Sequence, residues 1–132
     1  MGTPNSNSGN LIITFSNDFY KFYYALSLAS TLKATGKDVS IFISGYACHF
    51  IKKNWQDYDK EGINERLKKK KMGSIEEMFA YCKELEVEIF YCESAIEFLN
   101  INTKEITNLV SIKPKSMYSV LNSYKQGEII FI

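Results

Sequence analysis

A chain of 132 residues with 45% apolar side chains is globular in composition and long enough to bury one good core. Its net charge of +1 gives no global pull toward nucleic acid or an anionic membrane, and no apolar run nears the roughly 20 residues that span a bilayer. Three cysteines, an odd number, fit reduced thiols in a cytoplasm better than a disulfide scaffold.

Residues 1–10 are polar, with no positive segment leading into an apolar one, and read as a flexible tail rather than a secretion signal. Leu11–Phe15 is a short β-rich apolar run, and Ser16, Asn17 and Asp18 offer helix-capping side chains. A helix is expected from about Phe19 to Thr35, stopped by Gly36. Val39–Ile43 is a second strand, and Gly45, Tyr46 and Ala47 begin a loop. Residues 50–72 are amphipathic at Phe50, Ile51 and Trp55, then polar, and residues 56–71 read as a flexible basic insertion.

Ser74 and Glu77 have capping-box spacing and open a helix to about Leu85. Val87–Cys92 is a third strand, followed at once by a short helix to Leu99 and a turn over Thr103–Ile106. Leu109–Ile112 is expected as a fourth strand, and Pro114 as the first turn of a helix to Tyr124. Gly127 stops that helix, and Glu128–Ile132 closes the sheet. Continuous apolar strands alternating with helices predict a parallel sheet covered on both faces. The fold class is α/β: one domain over residues 11–132, a three-layer α/β/α sandwich of about five mostly parallel strands with flavodoxin-like layering.

Cys92 is the residue that carries most functional information. It ends a strand and begins a helix, at the carboxyl edge of the sheet where ligands and chemistry collect in such folds. A helix amino end also favours the thiolate, the reactive form of cysteine. The competing reading is a buried strand-end cysteine, and carboxylates as near as Glu93 and Glu97 disfavour a thiolate.

Cys82 follows Ile75, Met78 and Phe79 on one helical face and reads as core. Cys48 and His49 lie just past the second strand, on the same edge as Cys92. They are either a thiolate–imidazole pair, a thiol resolving an oxidised Cys92, or a loop cysteine beside a solvated histidine. Adjacent residues also tend to point apart, which argues against one shared pocket. Ser16, Asn17, Tyr46, Ser94 and Ala95 belong to the same edge and are expected to line a pocket there.

The run Arg66, Lys68, Lys69, Lys70 and Lys71 reads as a solvated loop, with an acidic protein partner as the alternative. Phe19, Tyr20, Phe22, Tyr23 and Tyr24 nearly encircle the start of the first helix. A subunit interface or a ligand pocket accounts for such excess, and the interface is the preferred reading. No metal-ligand spacing, glycine-rich phosphate loop or GxSxG turn occurs, so neither a metal nor a nucleotide or flavin cofactor is expected.

The chain resembles the DsrE/DsrF-like sulfur-relay proteins, which include TusD-type subunits. The resemblance runs from Leu11 to Ile132. It lies in Ala25–Ala29, Gly36–Gly45, Met72–Met78, Leu85–Ala95 and Ile129–Ile132, and most closely in the strand-end cysteine followed by a short helix and Leu99-Asn100-Ile101. In that family the cysteine carries sulfane sulfur as a persulfide, and by resemblance Cys92 is that residue. The resemblance implies sulfur-donor and sulfur-acceptor proteins as partners and a homo-oligomer such as a trimer or hexamer. Asn100 stands where the family often has glycine, and asparagine tolerates the same left-handed backbone. Cys48-His49 is not part of the family pattern and receives no role from it.

Overall fold

A computed structural model describes residues 9–132. Five strands form one parallel sheet in the order β4-β3-β2-β1-β5. They are β1 (Asn10–Thr14), β2 (Val39–Ile43), β3 (Glu88–Cys92), β4 (Ile112–Lys115) and β5 (Glu128–Phe131). The helices are α1 (Phe19–Ala34), α2 (Ile63–Lys69), α3 (Ile75–Glu84), α4 (Glu93–Phe98) and α5 (Met117–Ser123), with 3-10 turns at Gly45–Ile51, Trp55–Tyr58 and Thr103–Glu105. The tail expected over residues 1–10 lies outside the described residues as far as residue 8, and Asn10 already belongs to β1.

Apolar continuity explains the centre of the sheet. Every residue of β2 is buried, as are Leu11–Thr14 of β1 and Ile89–Cys92 of β3. Helix α1 packs on β1 and β2 and against α3. The crossovers β1–β2, β2–β3 and β3–β4 run in one direction across the sheet, and the chain then returns from β4 to β5 at the far edge. Right-handed crossover therefore puts α5 on the opposite face from α1 and α3. Tyr124, just after α5, donates its hydroxyl hydrogen bond to Ser40 of β2 on that face.

Caps set the helix boundaries. Asp18 Oδ1 accepts from Lys21 N–H (3.0 Å) to start α1, and Ser74 Oγ accepts from Glu77 N–H (3.2 Å) to start α3. Helix α4 is followed by Leu99 as C-cap and Asn100 at φ 55°, after which Ile101 N–H closes back on Ile96 O (3.0 Å).

The structure departs from expectation at β4. The strand occupies Ile112–Lys115 rather than Leu109–Ile112, and Pro114 sits within it, opposite Tyr91, rather than opening a helix. An edge strand pairs on one side only, so a missing N–H is tolerated there. Helix α5 starts instead at Met117, capped by Ser116 Oγ on Ser119 N–H (3.1 Å).

Residues 56–71, where a flexible insertion was expected, contain α2. Asp59 accepts from the N–H groups of Ile63 and Asn64 (2.9 Å each). Asn64 is buried and accepts from Ile75 N–H (2.7 Å) while donating to Glu76 Oε1 (3.0 Å), which fastens α2 to α3.

Candidate functional site

Cys92 ends β3 and is the N-cap residue of α4, in extended conformation and with no side-chain capping hydrogen bond. It is 4% exposed. In the parallel register it stands beside Lys115 of β4, and the Lys115 ammonium lies 4.9 Å from the ring centroid of Phe90, two residues before Cys92 on the same face. Helix α4 thus begins at the thiol, with Glu93, Ser94 and Ala95 as its first turn. Ala95 is buried, and Glu93 and Ser94 are exposed.

The Gly45–Ile51 turn lies against α4 and β3. Ala47, Cys48, Phe50 and Ile51 are buried in it. The Cys48 thiol donates to Ile43 O (3.5 Å) and lies close enough to Cys92 to interact with its thiol and its backbone N–H. Burial pushes the Cys48 thiol up to about 12; the neighbouring Cys92 thiol adds to this and the Cys92 amide works against it. Cys82 is likewise pushed to about 12 by burial, with its thiol 3.8 Å from Leu26 O inside the core.

His49 goes the other way. Its ring stacks on Tyr58 with centroids 4.2 Å apart and planes at 8°. Lys52, 7% exposed, donates to the Tyr58 hydroxyl (3.1 Å) and sits 3.8 Å from Glu105. Those contacts hold Tyr58, and with it the stacked His49–Tyr58 plate. Burial first, and the Lys52 charge second, hold His49 below the usual imidazole range, so the ring is neutral at pH 7.

His49 helps to line a cavity of about 800 Å³. Its wall comes from the β1–α1 junction at Asn17 and Tyr20, from Tyr46 and His49 of the turn after β2, and from α2 with the residues just before it. Asn17, Tyr46 and His49 therefore share one cavity, while Cys92, Cys48, Ser16, Ser94 and Ala95 are not among its lining residues. Ser16 is held locally, its Oγ accepting from Asp18 N–H (3.0 Å). The edge thus carries two features: a buried thiol pair at the β3 end, and an open aromatic cavity at the β1 and β2 ends.

Tyr58, Arg66, Lys70 and Lys115 were not singled out by sequence as site residues. Arg66 and Lys70 lay in a run read as solvated. Lys115 was hidden by the misplaced fourth strand. The aromatic pair Trp55 and Tyr58 upstream of the lysines was the available signal for the cavity wall.

Solved structures share this fold. The ychN protein from E. coli superposes with a TM-score of 0.69 at 12% identity, over 95% of this chain and 99% of that one. A conserved protein of unknown function from Bacteroides thetaiotaomicron, BT1422, superposes with a TM-score of 0.63 at 18% identity, over 94% and 95%. At such identities the likeness speaks to fold alone. No curated protein sequence matches the chain. Residues 11–131 match the model of the DsrE/DsrF-like family, and the chain belongs to that family.

Proposed function

We propose that the protein is a sulfur carrier of the sulfur-relay type, holding sulfane sulfur as a persulfide on Cys92. The observation that supports this most is the thiol at the junction of β3 and α4, not engaged in capping, with the Lys115 cation on the same face of the sheet. Family membership supports the sulfur-relay role.

The Cys92 thiolate attacks the outer sulfur of a donor persulfide. A new S–S bond forms to Cys92, the donor's S–S bond breaks, and the donor leaves as a thiolate. An acceptor cysteine then takes the outer sulfur by the same exchange. The first backbone amides of α4, those of Ser94 and Ala95, stabilise the anion. Donor and acceptor are proteins with accessible cysteines, the setting is a reducing cytoplasm, and the chain works as a homo-oligomer.

One observation favours a second reading. Cys48 neighbours Cys92, as a resolving thiol must. In that reading a peroxide oxidises Cys92 to a sulfenic acid, and Cys48 condenses with it to a disulfide, releasing water. The raised Cys48 thiol and its hydrogen bond to Ile43 O make it the weaker of the two.

The test is intact mass after a persulfide donor meets the reduced protein, for the parent and for Cys92→Ser. The parent is expected to gain the mass of one sulfur atom per sulfur carried, and the variant none. A disulfide that requires Cys48 transfers the assignment to thiol redox. No adduct on the parent leaves a non-catalytic interaction subunit.

A further inference from the structure

The aromatic cavity is independent of the thiol. Its volume of about 800 Å³ falls in the range of roughly 300–1,000 Å³ typical of small-molecule sites. Tyr20 and Tyr46, 49% and 52% exposed, offer uncovered ring surface on one side of it. The stacked His49–Tyr58 plate, fixed by Lys52 and Glu105, offers a rigid one on another. Rigid rings placed before the ligand arrives lose little entropy on stacking.

The lining carries three carboxylates, Asp18, Asp59 and Glu61, and three cations, Lys60, Arg66 and Lys70, so its formal charges balance. Asp18 accepts from Lys21 N–H and Asp59 from the N–H groups of Ile63 and Asn64, whereas none of the three cations has an ion pair or side-chain hydrogen bond among the described residues. Arg66 lies on α2 and Lys70, four residues on, is the C-cap residue of that helix, so the two fall on one side of its end. Two side-chain atoms are buried without a hydrogen-bond partner among the described residues, Thr14 Oγ1 and His49 Nδ1. Of these two residues, His49 lines the cavity and Thr14 does not.

We infer that the cavity binds a small planar aromatic anion, its ring stacked among Tyr20, Tyr46 and the His49–Tyr58 plate and its phosphate or carboxylate held by Arg66 and Lys70. Side chains do the holding, with no glycine-rich loop. Aromatic faces suit the ring in any substitution pattern, and the arginine fork suits a two-oxygen anion.

The experiment titrates the isotope-labelled 132-residue chain, followed by amide NMR, with AMP, UMP and 4-hydroxybenzoate. Their uncharged counterparts adenosine, uridine and 4-hydroxybenzamide, and inorganic phosphate, are run beside them. At least one aromatic anion is expected to bind saturably with shifts centred on Tyr46, His49, Tyr58 and Arg66, and its uncharged counterpart about tenfold more weakly. Arg66→Gln with Lys70→Gln, both at exposed positions, is expected to abolish that tenfold preference, and Tyr46→Ala to weaken anion and counterpart alike. Cys92→Ser is expected to bind as the parent does, which keeps this outcome separate from that of the sulfur-carrier test. No saturable binding of any aromatic anion at millimolar concentration overturns the inference. So does equal binding of the uncharged forms, or an unchanged preference in the double variant.

Discussion

Burial sorts the three thiols by what surrounds them, and their differences are measurable. Cys48 and Cys82 are both completely buried, and both thiols are pushed to about 12, mainly by desolvation. A thiol raised in the folded state stays protonated there while the unfolded chain ionises near its ordinary value. The unfolded state then binds fewer protons, so stability is intact below about pH 8.5 and falls as pH rises toward 12. At full difference the slope is about 1.4 kcal/mol per pH unit for each thiol. The buried hydroxyls of Tyr23, Tyr91 and Tyr124 are raised as well and act in the same direction at higher pH. Cys82→Ala isolates one contribution. Removing the sulfur from the core is expected to cost about 1–2 kcal/mol at pH 7. That deficit should shrink by pH 10.5, because the variant no longer carries the raised thiol. Urea denaturation of parent and variant at both pH values reads the two gaps, and parallel pH curves would refute the assignment of Cys82 as a desolvated thiol.

At the scale of elements, α2 is the piece whose attachment decides whether the cavity has a far wall. Only Asn64 and Leu67 of that helix are buried. Asn64 joins it to α3 through Ile75 N–H and Glu76. Asn64→Ala leaves the buried Ile75 amide unmatched and is expected to cost about 1–3 kcal/mol. Amide hydrogen exchange should quicken across residues 59–71 first, ahead of the sheet, and uniform change throughout the chain would mean that α2 is not separately fastened. The same helix shows why part of the molecule is legible in the sequence and part is not. β2, α1 and α3 were readable with nearly correct ends because each combines a strong apolar pattern with a chemical stop, such as Asp18, Gly36 or Ser74. Helix α2 buries two residues in seven, too few for a period to emerge from a lysine-rich run. β4 is exposed over half its length and admits Pro114, so its composition resembles a helix start. The position of Cys92 at a strand–helix junction was legible because both elements are adjacent in sequence. The cavity was not, because its wall is gathered from three separated segments that only tertiary folding brings together.

The whole molecule is unevenly covered, and that bears on assembly. Among the described residues, one sheet face lies under α1, α3 and α4, whereas the other has only the seven-residue α5. Beyond the reach of α5, at the β5 edge, Phe131 is 64% and Ile129 51% exposed, and the Phe131 ring lies 5.0 Å from that of Phe15, itself 46% exposed. Ile129 and Phe131 are two residues apart and project from the same face. Among the described residues β5 pairs only with β1, so its outer backbone groups have no strand partner there. Open strand edges bearing apolar side chains attract further strands unless something covers or charges them. A second copy of the chain covering this edge is consistent with the homo-oligomer proposed above. Of the aromatic residues at the start of α1, for which an interface was the preferred sequence reading, Phe19, Phe22 and Tyr23 are core and Tyr20 lines the cavity, while Tyr24 is 52% exposed. The β5 edge is a second surface on which an interface can be sought. Ile129→Glu with Phe131→Glu adds two like charges to that strip at positions more than half exposed. The parent is expected to sediment as an oligomer at micromolar concentration and the double variant as a 15.2 kDa monomer with unchanged far-ultraviolet circular dichroism. An oligomer that survives both charges would remove the β5 edge from the interface and direct attention to Phe98 and Tyr118, 74% and 79% exposed elsewhere on the surface.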